Sequence, residues 1–311
     1  MKTSMPKVNV LLATYNGEKH LKKQLDSIAN QTYRNIDVYI RDDGSKDGTV
    51  EFVKEYIATN ISEKNFYLID SKGINLRCPG SFYEIAKSCE PAKYYSFCDQ
   101  DDEWYPEKIQ WAVERLEKEN NQELLVYFSA CDYKYEDGTF IRKSPMQNEN
   151  MELHEVLYNT PGSGFTIVFN ENARKKLIEE QVLGEELHDR WIIRGAVCFG
   201  KVIYDKRSTA AHIRHEEAVT AGDSDNKSLL VHFINNELKG DSAKKDKEAL
   251  VYFYNCFKDE LNEKQKKILE IFASEKKSPI LWLQKLFYPK KLRTRLPGEI
   301  ALRILFFIGK I

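Results

Sequence analysis

Apolar residues in this chain fall into short unbroken runs, and between the runs they recur every three or four positions. Val8, Val10, Leu11 and Leu12 belong to one run that stops at Tyr15-Asn16-Gly17, after which Leu21, Leu25 and Ile28 follow at helical spacing across residues 18–30. The run predicts a buried strand, and the following period an amphipathic helix. The pattern returns with a strand over 36–41 that ends in Asp42-Asp43-Gly44-Ser45 and a helix over 49–56 with Val50 and Val53 on one side. A third strand is expected over 66–69, a helix over 80–88, and a fourth strand over 94–98, with Pro106 well placed to open a helix over 109–116.

Strands alternating with helices predict an α/β fold, a mostly parallel sheet flanked by helices on both faces. In such sheets ligands bind beyond the carboxyl ends of the strands. Three polar strand ends, Thr14-Tyr15-Asn16, Asp42-Asp43-Gly44-Ser45 and Asp99-Gln100-Asp101-Asp102, are therefore expected to meet along one rim. The alternation weakens after a strand over 124–133. Gly162-Ser163-Gly164 leads into an expected strand over 165–169 and a helix over 171–180. Ile192, Ile193, Ala196 and Val197 then mark the buried face of a helix with Asp189 in its first turn, where the helix dipole favours an ionised carboxylate. Two short strands are expected at 201–204 and 210–214, and helix from Leu229 onward. Domains are expected at 1–225, carrying the sheet, and 226–311, a helical extension.

Bulk properties narrow the class. A length of 311 residues, 42% of them hydrophobic, permits a large core, and a net charge of -1 gives no field that would argue for nucleic acid. Six cysteines (Cys78, Cys89, Cys98, Cys131, Cys198, Cys256) stand singly without metal-ligand or disulfide spacing and read as reduced core residues at a cytosolic location. The first residues contain no apolar signal-peptide core, and no run reaches membrane-spanning length. Charge is uneven, however: residues 278–311 hold seven lysines and arginines against one acid, mixed with aromatic and aliphatic residues. That tail suits either an interfacial helix on anionic lipid or a packed helix, on the catalytic domain or on a second subunit in a homodimer.

The acidic cluster at 99–102 carries the chemistry. Carboxylates crowded at one strand end raise one another's pKa values unless solvent or a cation relieves them. Oxygen-only ligation points to Mg2+ or Mn2+, which commonly bridges to a substrate phosphate.

Leu12-Ala13-Thr14-Tyr15-Asn16-Gly17, Arg41 to Thr49 with its Asp-Asp-Gly-Ser, Phe97-Cys98-Asp99-Gln100-Asp101-Asp102 and His188-Asp189-Arg190-Trp191 together resemble the inverting family-two glycosyltransferases of the Rossmann-like GT-A fold. The match is nearest the bacterial rhamnosyltransferase-like branch and covers residues 6–220 in motif order. The resemblance implies a nucleotide-sugar donor, most simply dTDP-rhamnose, whose nucleoside is bound by Thr14, Tyr15, Asn16, Asp42, Asp43, Asn75, Asp99 and Gln100. It implies a metal at Asp101 and Asp99, with His215 as a further ligand, and Asp189 as the base that deprotonates the acceptor hydroxyl. Asp102 would orient a ligand from behind. The implied acceptor is a lipid-linked cell-surface glycan at the inner face of the bacterial membrane, with peripheral membrane contact. Arg190 stands where the branch carries tryptophan, and His212-Ile213-Arg214-His215 departs from its Tyr-Arg-Gln-His. Gly164 matches a family glycine on the acceptor side.

Other classes fit less of the chain. Haloacid-dehalogenase-type phosphatases also place Asp-x-Asp after an apolar strand, but they carry threonine or valine where this chain has Glu103. No Gly-x-Gly-x-x-Gly follows the first strand, against a dinucleotide oxidoreductase. A UDP-hexose or UDP-N-acetylhexosamine donor, and an inactive sugar-nucleotide-binding scaffold, remain the alternatives.

Overall fold

The computed structural model describes residues 5–60, 62–179, 186–214, 237–238, 240–276 and 278–311. The chain divides into two compact units, one built from 1–150, 162–183 and 187–215, the other from 151–161, 184–186 and 216–311. The domain boundary expected at residue 225 and the helix onset expected at Leu229 lie outside the described residues.

The first unit contains one nine-stranded sheet. Its parallel half is β1 (Val8–Thr14), β2 (Ile36–Asp42), β3 (Asn65–Ile69) and β4 (Tyr94–Cys98), ordered β3-β2-β1-β4. Helices α1 (Glu18–Ala29), α2 (Thr49–Thr59) and α3 (Arg77–Ser88) connect these strands. Every residue of β2 and β4 is buried; β4 is accordingly an almost unbroken apolar run, whereas β2 also buries Asp37, Arg41 and Asp42, each with a hydrogen-bond partner. The even-numbered positions Val8, Val10 and Leu12 enter a core with Leu21, Leu25 and Ile28 of α1. The opposite face holds a ring cluster, with Phe97 4.9 Å from Phe169 and 5.6 Å from Phe82.

Beyond β4 the sheet is mixed, with antiparallel and parallel pairs. A short β5 (Glu103–Trp104) precedes α4 (Lys108–Leu116), then come β6 (Leu124–Tyr135), β7 (Phe140–Lys143), β8 (Val168–Asn170), α5 (Glu171–Arg174), α6 (His188–Phe199) and β9 (Gly200–Arg214). Strand β8 lies antiparallel to β4 and β6, while β9 runs parallel to β6 and pairs antiparallel with β5.

Three expectations are corrected here. Residues 165–169 are not all strand: Gly164–Thr166 is a 3-10 turn, held by Thr166 N and Oγ1 donating to Ser163 O, and the strand begins at Val168. The helix at 171–180 is a single α turn followed by a wider π turn, Lys175–Glu179, whose Leu177 carbonyl accepts a hydrogen bond from the Trp191 indole at 2.6 Å. The two strands at 201–204 and 210–214 are one. Asp205 pairs with Ser129 and Ser208 with Ala130, so 206–207 bulge out and their polar side chains mimic a break. All six cysteines are free; Cys89, Cys98 and Cys131 are core residues, but Cys78 is exposed.

The second unit is helical: α7 (Ser242–Phe257), α8 (Glu263–Ala273), α9 (Pro279–Leu286) and α10 (Leu296–Phe307), with no strand among its described residues. Its core joins Phe253, Phe257, Phe272 and Phe306, and Tyr158 sets its ring 5.9 Å from Phe272 and 5.7 Å from Phe306. Asn262 and Gln265 form a reciprocal cap at the start of α8.

Candidate active site

Register brings the polar strand ends together. Thr14 pairs with Asp42 and Leu12 with Cys98, so the ends of β2, β1 and β4 stand side by side and open into the three loops. The loops are then tied to one another. Gln100 Oε1 accepts from Tyr15 N at 2.8 Å and its Nε2 donates to Tyr15 O at 3.1 Å. Gly17 is needed beneath it, because a Cβ there would lie 2.3 Å from Gln100 Oε1. Asn16 takes a left-handed backbone (φ 48°); its N–H donates to Ser45 Oγ, and its Oδ1 accepts from Lys46 N, both at 2.8 Å.

Asp42 is a saturated acceptor. One oxygen takes the N–H groups of Gly44 (2.9 Å) and Ser45 (2.8 Å), the other the hydroxyls of Thr14 (3.0 Å) and Ser45. A carboxylate has about four lone-pair sites, so a nucleobase N–H reaches this one only by displacing a hydroxyl. Asp43 is buried in an ion pair with Arg41 and accepts from Ser81 Oγ at 3.1 Å. Arg41 also donates to Ile74 O at 2.7 Å, which holds the loop of Asn75 at the same rim; Asn75 Oδ1 itself accepts from Arg77 N. Thr14, Asn16, Asp42, Asp43, Asn75 and Gln100 therefore spend polar atoms on building the rim, whereas the Tyr15 ring is exposed.

The β4 end is different. Burial holds the Asp99 carboxyl well above the usual carboxylate range, and the neighbouring charges of Asp102, Asp101 and Asp189 push it the same way. Asp189, from the first turn of α6, thus shares a field with the cluster on the β4 loop; its Oδ1 accepts from Arg190 N at 2.6 Å. Asp102, 2% exposed, is raised to about 6 by burial against the opposing pull of His212, whose Nδ1 lies 2.7 Å from Asp102 Oδ1. The N–H of Ile213 also donates to Asp102, and the pairing raises the His212 pKa. His212 lies 110 residues from Asp102 in sequence, and only its histidine identity marked it beforehand.

His188 explains Gly164. Its ring is buried 4.2 Å from Phe82 and 4.5 Å from Phe97, and burial lowers its pKa to about 3. A Cβ on Gly164 would come within 2.3 Å of His188 Nε2. The glycine lets the residue before Asp189 seat in its aromatic cage.

For a divalent cation the donor chemistry fits. Asp99, Asp101 and Asp102 supply hard carboxylate oxygens at the end of β4, where Asp99 is already disfavoured as an anion, and Mg2+ or Mn2+ is usually completed by substrate phosphates and water rather than by a protein cage. Among the described residues no three His, Cys, Asp or Glu side chains form a ready-made set, and His215 lies outside those residues. A groove of about 620 Å³ lined by Asp26, Asn30, Arg34, Tyr56 and Lys64 sits at the other end of the strands, away from the carboxylates.

The architecture is that of the GT-A glycosyltransferases. It is shared with TarS of S. aureus in complex with UDP-GlcNAc, at a TM-score of 0.55 over 98% of this chain and 91% of that one, with 17% identity. The Pyrobaculum calidifontis mannosyltransferase PcManGT, solved with GDP-Man and Mn2+, gives a TM-score of 0.56 over 99% and 75% of the two chains, at 14% identity. The family model "Glycosyl transferase family 2" matches residues 9–178, and the chain belongs to that family. Among curated relatives, an uncharacterized glycosyltransferase of Rickettsia prowazekii is 34% identical over 42% of this chain. The dTDP-rhamnosyl transferase RfbG of Shigella flexneri is 28% identical over 66% of this chain and 72% of its own. The amylovoran biosynthesis glycosyltransferase AmsB of Erwinia amylovora is 26% identical over 94% and 98%. The alignment spans 38% of the Rickettsia prowazekii relative, and 58% of one from Rickettsia typhi.

Proposed function

We propose that this protein is a metal-dependent inverting glycosyltransferase that moves L-rhamnose from dTDP-rhamnose onto a lipid-linked polysaccharide at the inner face of the bacterial membrane. The observation that carries the reaction class is the rim where the ends of β1, β2 and β4 stand side by side, with the acidic residues after β4 and with Asp189, in the first turn of α6, acting on Asp99. The likeness to RfbG supports the sugar, and the likeness to AmsB supports polysaccharide assembly.

In this reading Asp189 accepts the proton of the acceptor hydroxyl as that oxygen attacks the anomeric carbon opposite the departing diphosphate. One base suffices, because a single displacement inverts the centre without a covalent intermediate. Asp101 and Asp99, and His215 by the family resemblance, would hold the cation, and Asp102 with His212 fixes the loop that presents the two aspartates. When bound, the cation supplies neutralisation of charge on the leaving diphosphate. Tyr15 packs on the base, and Asp42 accepts the pyrimidine N–H in place of the Ser45 hydroxyl.

Melting temperature with a panel of nucleotide sugars, each with and without Mn2+, tests this, since a ligand of the native state alone raises it. A Mn2+-dependent rise with dTDP-rhamnose alone supports donor and class; a rise with UDP-glucose or UDP-N-acetylglucosamine instead replaces the donor. No rise with any donor sinks the proposal in favour of an inactive scaffold. Asp189→Asn should keep the donor-induced rise and lose turnover by about a thousandfold or more.

A further inference from the structure

Eighteen large hydrophobic side chains are exposed among the described residues, and eight of them lie between residues 280 and 308. They form stripes rather than a scatter. Ile280, Leu283 and Phe287 recur along α9 and its end, and Leu296, Ile300, Ile304 and Phe307 recur at three- and four-residue spacing along α10. The opposite side of α10, Leu302, Leu305 and Phe306, is core.

The two helices are fastened as one piece. Trp282 Nε1 donates to the carbonyls of Phe306 (2.8 Å) and Phe307 (3.2 Å), and its ring lies 6.1 Å from that of Phe307, so the stripe on α10 continues onto α9. Arg303 is turned inward, donating to the carbonyls of Lys285, Leu286, Tyr288 and Lys290 and pairing with Glu299. The region's single acid is thereby buried beneath an arginine.

Charge selects the partner. Lys290 is paired with Glu152 and Arg293 with Glu237, and Lys310 donates to the carbonyls of Leu238 and Gly240, but Lys291 and Arg295 meet no carboxylate among the described residues. Lys291 and Arg295 are exposed in the turn between Phe287, 72% exposed, and Leu296, 60% exposed. A second copy docking through this face would bring those cations against their own kind. Anionic headgroups above an acyl interior match both the cations and the stripes, and no described helix is long and apolar enough to cross a membrane.

We propose that the outer stripes of α9 and α10 form an interfacial docking surface for a membrane containing anionic lipid, with Phe287 and Phe307 as its insertion points. The proposal deepens the reading of a lipid-linked acceptor and rests on it for its purpose, while the surface stands on its own geometry.

The test is flotation of the full chain with phosphatidylcholine vesicles and with vesicles that also contain phosphatidylglycerol. Wild-type protein should float, more strongly with phosphatidylglycerol. The double variant Phe287→Ser/Phe307→Ser should lower the vesicle-bound fraction about tenfold, and Lys291→Glu/Arg295→Glu should abolish the preference for phosphatidylglycerol. Both should keep the wild-type melting temperature, because these four side chains are exposed. Wild type that stays down with both lipids, or a Phe287→Ser/Phe307→Ser protein that floats like wild type, overturns the proposal. So does a lipid-free dimer that the phenylalanine substitutions dissolve, which would give the face to a second copy. Flotation as expected with no nucleotide-sugar response would remove the proposed activity and leave the docking surface standing.

Discussion

His188 stays neutral inside the folded protein because its aromatic cage offers no counter-charge, and burial takes its pKa to about 3. The unfolded chain binds a proton there below about pH 6.5 that the native state refuses. Stability from this residue is therefore complete above the unfolded value and is lost as the pH falls towards the folded one, by up to about 1.4 kcal/mol per pH unit. Urea titrations between about pH 7 and about pH 4 should show that slope, and His188→Leu should flatten it by one proton. The same side chain sets the tolerance at Gly164. Gly164→Ala drives a methyl to 2.3 Å from His188 Nε2, so it should cost about 1–3 kcal/mol of stability. Because Asp189 follows His188, turnover should fall while the donor-induced rise in melting temperature persists; equal loss of both would mean the strain reaches the β4 loop.

At the scale of elements, the end of β9 serves as a brace for the loop after β4. Strand β5 pairs with β9 through Glu103 with Ala211, and Asp102, one residue earlier, accepts from His212 and Ile213. His212→Ala leaves a buried carboxyl short of a partner and should destabilise the protein by about 1–3 kcal/mol in chemical denaturation; an unchanged midpoint would show the brace to be slack. The parallel half of the sheet was legible in the sequence because its strands carry apolar runs that stop at turn residues, as β1 does at Tyr15-Asn16-Gly17. The strand-end carboxylates were legible because they are contiguous. The β9 bulge, the π turn and the 3-10 turn were not, since each breaks the periodicity by which elements are recognised. Nor were the Asp102–His212 contact and the packing of Gly164 on His188, which join distant segments and leave no local pattern. Asp42 and Asp43 were visible as acids, but their saturation by Ser45, Thr14 and Arg41 is a property of three-dimensional geometry alone.

Over the whole molecule, two units divide the labour of composition. The first holds the sheet and the carboxylate rim; the second is a helical body with its own aromatic core around Phe272 and Phe306. The second unit also shows why a count of charges in sequence misleads. Of the seven cations in residues 278–311, Arg303 closes the end of α9, Lys285 is buried, Lys290 and Arg293 answer acids of their own unit, and Lys310 donates to the carbonyls of Leu238 and Gly240, which leaves Lys291 and Arg295 unanswered among the described residues. Arg303 is a structural fastener whose guanidinium is occupied by backbone carbonyls. An attachment built on so few uncompensated charges has to behave as partition of hydrocarbon out of water. Raising ionic strength from about 0.1 M to about 1 M shortens the screening length from about 10 Å to about 3 Å, yet it should strip only a minor part of the protein from vesicles, and a detergent should be needed to release the rest.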